Sequence, residues 1–181
     1  MLDPASATVA FVGFAASIAA LIAVISDSAQ TVHTLYYNLR DAPEELSDLK
    51  RIVEGNEALL KNIFIVGQRY ETGGIPRDLY ECWDKAAKHV LEDLQKFKIE
   101  IDKIFNVFNA SSYSKRHLRR RIRQLFSAHA IEGHCKKLLA HKVDLNVILS
   151  LMQKYVLRQI FIYLYPYAFK QYCEKKMLTV R

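Results

Sequence analysis

Apolar positions recur along this chain at helical rather than strand spacing, and they divide it into long segments. The first segment is unlike the rest. Residues 4–26 read PASATVAFVGFAASIAALIAVIS, with no charged side chain between Asp3 and Asp27. At 1.5 Å rise per residue, about 20 helical residues cover roughly 30 Å, the hydrocarbon thickness of a bilayer. Length and composition leave three readings: a spanning helix, a secretory signal, or a central helix wrapped by others. The helix is expected to continue past Asp27, because Val32, Leu35, Tyr36 and Leu39 keep the three-to-four-residue period.

The stretch Asp41-Ala42-Pro43-Glu44-Glu45 marks a break and a new start, since Pro suits a first helical turn and acidic residues there complement the helix dipole. A second helix is predicted over residues 43–70, with Leu46, Leu49, Val53, Leu60, Ile63 and Val66 as its stripe. It ends at ETGGIP, residues 71–76, the clearest loop in the chain. A third helix over 77–108 carries Leu79, Cys82, Trp83, Ala86, Val90, Leu94, Phe97, Ile101, Ile104 and Phe108 at helical period, before a turn at 109–112. The fourth, 113–153, begins richly basic, with Ser127 and Gly133 as candidate breaks. Its Ile131, Leu138, Leu145 and Met152 repeat every seven residues, with Val143 and Leu149 beside them, a packing stripe of the coiled-coil kind.

Residues 154–181 differ again: IFIYLYPYAF at 160–169 is almost unbroken aromatic and aliphatic, with Pro166 inside it. This tail reads as a fifth helix ending near Tyr165, as an interfacial aromatic segment, or as a surface awaiting further chain. No strand alternation and no internal repeat occur. The expected architecture is all-α, a bundle of four to five long antiparallel helices with a hydrophobic N-terminal helix, divided into a domain over 1–153 and a C-terminal helix or tail over 154–181.

Composition narrows this little. A chain of 181 residues that is 51% hydrophobic and 25% charged can bury a sizeable core and is too apolar for disorder. Charge placement says more. Residues 1–114 hold eleven Lys/Arg against sixteen Asp/Glu, and residues 115–181 hold fifteen against three, so the second part is basic by +12 and suits an anionic partner. Cys82, Cys135 and Cys173 are odd in number and far apart, which is no disulfide framework and suits a reducing compartment. A secretory signal needs a basic stretch before a short apolar one, whereas Asp3 is the sole charge before this long run. An anchor fits better, yet the run is Ala-rich rather than Leu-rich, and Arg40, the first basic residue, lies well beyond it.

Catalytic signatures are lacking. Gly73-Gly74 stands alone without a phosphate-loop Lys, and no H-E-x-x-H occurs. His129, His134, Cys135 and His141 gather in one region, but no C-x-x-C or H-x-x-x-H pair frames them, so ordinary surface or interface roles are expected rather than a zinc. The expectation is a non-enzyme with no cofactor, no metal and no small-molecule substrate. The sharpest cluster is Lys115, Arg116, Arg119, Arg120, Arg121 and Arg123, interleaved with Leu118 and Ile122. It reads first as a solvated helix face, next as a patch for anionic lipid or an acidic partner, and last as a nucleic-acid surface, since no nucleic-acid-binding motif accompanies it.

Three stretches together resemble the N-terminal domain of fungal STAND-type (NLR-like) proteins, the HeLo-like family, also known from an azaphilone-pigment cluster protein. They are MLDPAS at 1–6 running into the apolar helix, LYYNLRDAPEEL at 35–46, and RRRIRQLF at 119–126 followed by IEGHCKKLL at 131–139 and HKVDLNVIL at 141–149. The likeness covers about residues 1–153. It implies a helical bundle that acts in programmed cell death: copies oligomerise, the first helix is exposed, and a membrane is permeabilised. On that expectation the inserting residues are Val9, Phe11, Val12, Phe14, Ile18, Leu21, Ile22 and Ile25, the basic cluster holds an anionic surface, and the protein is cytoplasmic with recruitment to the plasma membrane. Two other readings stay open: a homotypic protein-interaction module, accessory to a secondary-metabolite cluster, in which the first helix is only core, and a constitutive single-span protein.

Overall fold

The computed structural model describes residues 4–38, 44–70, 75–110 and 129–178, with side chains described within 10–38, 44–70, 75–109 and 132–161. Four long helices occupy these ranges: α1 Pro4–Asn38, α2 Glu44–Gln68, α3 Arg77–Ala110 and α4 His129–Leu178. The all-α bundle read from the sequence is the fold.

α1 packs on α2 and α3, and α4 packs on the same two, so α1 and α4 lie across the bundle from each other. Phe14 meets Trp83 while Asp27 meets Lys98, which makes α1 and α3 parallel. Asn56 reaches Leu138 and Tyr70 reaches Met152, so α2 and α4 are parallel too. Consecutive helices still alternate in direction, because Phe14 meets Gly67 while Ser26 meets Glu57 between α1 and α2, and Asp93 meets His141 while Phe97 meets His134 between α3 and α4. The connection from α2 to α3 therefore crosses the bundle diagonally. At its start, α2 closes with a tight turn in which the Arg69 and Tyr70 amides donate to the Val66 and Gly67 carbonyls. At its end, the Pro76 carbonyl accepts the Tyr80 amide to open α3.

One core joins the four helices. Phe14, Ile18, Leu21, Ile25, Val32 and Leu35 enter it from α1, Trp83, Val90, Leu94, Phe97 and Ile101 from α3, and Leu138, Leu145, Ile148 and Met152 from α4. The α2 stripe is buried as its spacing predicts, with Ile52, Asn56, Leu59 and Gly67 added to it and Val66 only half-buried. Asn56 and Ser28 are the buried polar side chains among the described residues; the Asn56 amide donates to the Ile52 carbonyl at 2.9 Å and across the bundle to the Leu138 carbonyl at 3.2 Å. Both bonds offset the desolvation that an unpaired amide would suffer.

Several predicted positions are corrected. Cys82 is exposed, and Ala87 rather than Ala86 is the buried alanine of α3. Val143 lies on the outer side of α4, 63% exposed, because the seven-residue stripe of Leu138, Leu145 and Met152 already faces α2 and α3. The tail is no separate fifth helix: α4 runs through the 153/154 boundary and through Pro166 as one element of 50 residues. The turn at 41–43, the Gly73-Gly74 loop and the whole of 111–128 lie outside the described residues.

At Gly67 of α2 the Phe14 ring of α1 comes so near that a Cβ would overlap it. Alanine in a helix is ordinarily favoured over glycine by about 1 kcal/mol, and here that preference is outweighed by overpacking, which costs about 1–3 kcal/mol. Gly67→Ala should therefore lower stability in urea denaturation while leaving the helical circular dichroism unchanged.

Candidate functional site on the first helix

The apolar run of α1 has two unlike sides. Phe14, Ile18, Leu21 and Ile25 stand at spacings of four, three and four and are buried; Phe11 and Ile22 flank them half-buried. On the opposite side Val12 is 60% exposed, and Ala16, Ala19, Ala20 and Ala23 are all open to solvent. Of the readings left by the sequence, a central helix wrapped on all sides does not describe this one: the helix sits at a corner of the bundle, with Phe14, Ile18, Leu21 and Ile25 inward and mostly small residues out. The side chain of Val9 lies outside the described residues.

Three polar contacts hold this helix at successive depths. The Trp83 indole N–H donates to the Ser17 hydroxyl at 2.7 Å, and that hydroxyl donates to the Phe14 carbonyl at 2.9 Å. Trp83 also lies against the Phe14 ring, with centroids 4.9 Å apart. Immediately before Asp27, the Ser26 hydroxyl donates to Glu57 at 2.7 Å. Lys61 and Ser26 together hold the Glu57 carboxyl below the usual carboxylate range, against the opposing effect of burial. Asp27, the residue that ends the uncharged run, is bound by Lys98 of α3 at 2.6 Å, and the same ammonium holds Asp102 at 2.8 Å. At the far end Lys50 of α2 sits over the rings of Tyr36 and Tyr37 at 5.0 and 5.2 Å, within cation–π range.

The His/Cys group separates. His134 packs edge-on to Phe97, and burial pushes its pKa below the ordinary value. His141 meets Asp93 at 2.9 Å on the α3 side. Cys135 faces a cleft of about 450 Å³ between α2 and α4, lined also by Glu45, Asp48, Arg51 and Lys142. Burial, with Asp48 and Glu132 nearby, raises its thiol pKa, so it holds its proton and is a weak nucleophile and metal ligand. Among the described residues no three His, Cys, Asp or Glu side chains converge as a metal site. The basic residues Lys115, Arg116, Arg119, Arg120, Arg121 and Arg123 and the side chain of His129 lie outside the described residues.

The contact that closes α4 onto α3 is a carboxylate held by a lysine and a histidine. Burial raises the Asp93 pKa, but hydrogen bonds from Lys137 at 2.9 Å and from His141 outweigh it and leave the pKa lowered. A folded pKa below the unfolded one gives stability that is present above the ordinary carboxylate range and lost as pH falls through the folded value. Asp93→Asn should cost about 1–2 kcal/mol at neutral pH, and the deficit should shrink towards zero in acid; denaturant midpoints of both proteins across that range check it.

No protein-family model, no curated protein and no solved structure matches this chain.

Proposed function

We propose that this chain is a non-catalytic effector or signalling domain that keeps its apolar first helix in a bundle at rest and delivers it to a membrane when copies assemble. The observation carrying this reading is the state of α1. By length and composition it can cross a bilayer, and only 22% of its most apolar stretch is buried. The uncharged face of Val12, Ala16, Ala20 and Ala23 is one that lipid or a neighbouring copy can meet without stranding a charge. The likeness to HeLo-like domains points the same way. Cytoplasmic residence is supported by the odd, widely spaced cysteines, and recruitment to an anionic membrane by the +12 charge of residues 115–181, on which alone the holding role of 115–123 rests.

A cost accompanies the release of α1. Phe14, Ile18, Leu21, Ile25, Val32 and Leu35 are all nearly or fully buried, and exposing six such side chains costs about 9–18 kcal/mol. That matches or exceeds the whole stability of a typical domain, about 5–15 kcal/mol. Release therefore has to be coupled to reburial in lipid or between copies. The same figure favours a second reading, an interaction module in which α1 never leaves the core.

Deleting residues 1–26 does not separate these readings, because the deletion also removes core side chains. Ala16→Asp and Ala20→Asp do, since both positions are exposed at rest. Stability should stay within about 0.5 kcal/mol of the parent. A mid-span Asp costs about 3 kcal/mol on insertion scales, so dye release from acidic-lipid vesicles should fall roughly 100-fold. Trp83, the single tryptophan, reports the same event, since its fluorescence should change when vesicles draw Phe14 and Ser17 away. Undiminished leakage in both variants, with unchanged Trp83 emission, would sink insertion and leave the interaction module.

A further inference from the structure

Helix α4 is apolar on two opposite sides. Leu138, Leu145, Ile148 and Met152 face the core, and directly opposite them Leu139, Val143, Val147 and Leu151 are 46%, 63%, 55% and 39% exposed. A helix apolar on both sides has more than one partner. Single exposed apolar residues are unremarkable, but Val143, Val147, Leu157 and Phe161, all exposed, fall on a seam: positions 143, 147, 150, 154, 157 and 161 alternate by four and three residues, the spacing of paired helices. The seam runs out past the bundle. Val156 is the last α4 side chain described against the core, Leu157 to Phe161 are exposed, and the helix continues to Leu178, about 33 Å further. Helical stability in proteins comes mostly from the packing of an apolar face rather than from propensity.

We propose that the outer face of α4 pairs, antiparallel, with the same face of a second copy of this chain. The seam reads nearly the same in both directions about Ser150. Antiparallel pairing centred there sets Leu139 against Phe161, Val143 against Leu157 and Val147 against the aliphatic stem of Lys154, with the small Ser150 at the crossing. It also places Asp144 of one copy between Lys154 and Arg158 of the other. All three are exposed, and among the described residues none has an ion pair within its own chain. Several other acids of the bundle pair with a lysine one turn away, as Asp84 with Lys88 and Glu92 with Lys96. The two bundles lie on opposite sides of the pair and extend in opposite directions from its centre, so the projecting part of each α4 covers the bundled part of its mate. Pairing does not require α1 to leave the bundle.

Sedimentation equilibrium of the full chain without lipid, from low to high micromolar, tests this. A monomer–dimer equilibrium is expected. Leu157→Asp puts a carboxylate into the seam beside Asp144 of the mate and should leave monomer only. Asp144→Arg and Arg158→Asp should each weaken the dimer about tenfold, and the double reversal should restore it, an outcome that parallel pairing cannot give because the two positions would be separated by more than three turns. Circular dichroism is expected to be native in every variant, since all three substituted side chains are exposed. The proposal is overturned by a parent that stays monomeric, by a dimer that Leu157→Asp leaves intact, or by a double reversal no tighter than its single parents. A parent that is monomeric in solution yet loses vesicle binding on Leu157→Asp also overturns it, assigning the face to lipid.

Discussion

Helix α1 is large-sided along one stripe and small-sided on the rest, and the other helices answer to that asymmetry. Only the stripe needs cover, so two neighbours suffice. α2 offers Gly67 where the Phe14 ring must come close, and α3 offers Trp83, which lies against that ring and ties itself to Ser17. With α1 satisfied by α2 and α3, α4 packs across the bundle from it and closes the core through Leu138, Leu145, Ile148 and Met152. The corner position of α1, and the open alanines that follow from it, are products of side-chain size rather than of any special motif.

Much of this was legible in the sequence where one face is apolar and the other charged. α2 and α3 read correctly to within two residues at each end, because their solvent sides are filled with paired charges and leave the stripe unambiguous. On α1 the large residues at 14, 18, 21 and 25 already carried the inward signal, but in a run without a single charge nothing polar marked the outer side. α4 misled for the opposite reason: both of its sides are apolar, so Val143 looked like a partner of Leu138 and Leu145 although it points away from them. Pro166 reads as a stop because it has no amide to give to the carbonyl four residues before it, yet the helix persists to Leu178.

The polar ties across the bundle had no local signal at all. Ser17 with Trp83, Asn56 with Leu138 and Tyr70 with Met152 join residues 66 to 82 positions apart. Each matters because its donor or acceptor is buried. The Tyr70 hydroxyl, bonded to the Met152 carbonyl at 2.6 Å, has its pKa pushed up to about 12 by burial, with Tyr155 adding to it. Such ties fix the relative sliding of helices whose apolar contacts alone would tolerate several registers.

The separation of Ser17 from Trp83 also sets an order of events during synthesis. The most apolar helix of this chain precedes all the others, and its seat on α3 is made 66 residues later. At 5–20 residues per second that delay is roughly 3–13 s. α2 arrives sooner and covers one flank, but Trp83 is still to come, so on a translating ribosome the inward side of α1 is open to whatever binds nascent apolar helices. The first competitor of the finished bundle for this helix is then the cell's own targeting and chaperone machinery, well before any membrane the mature protein meets.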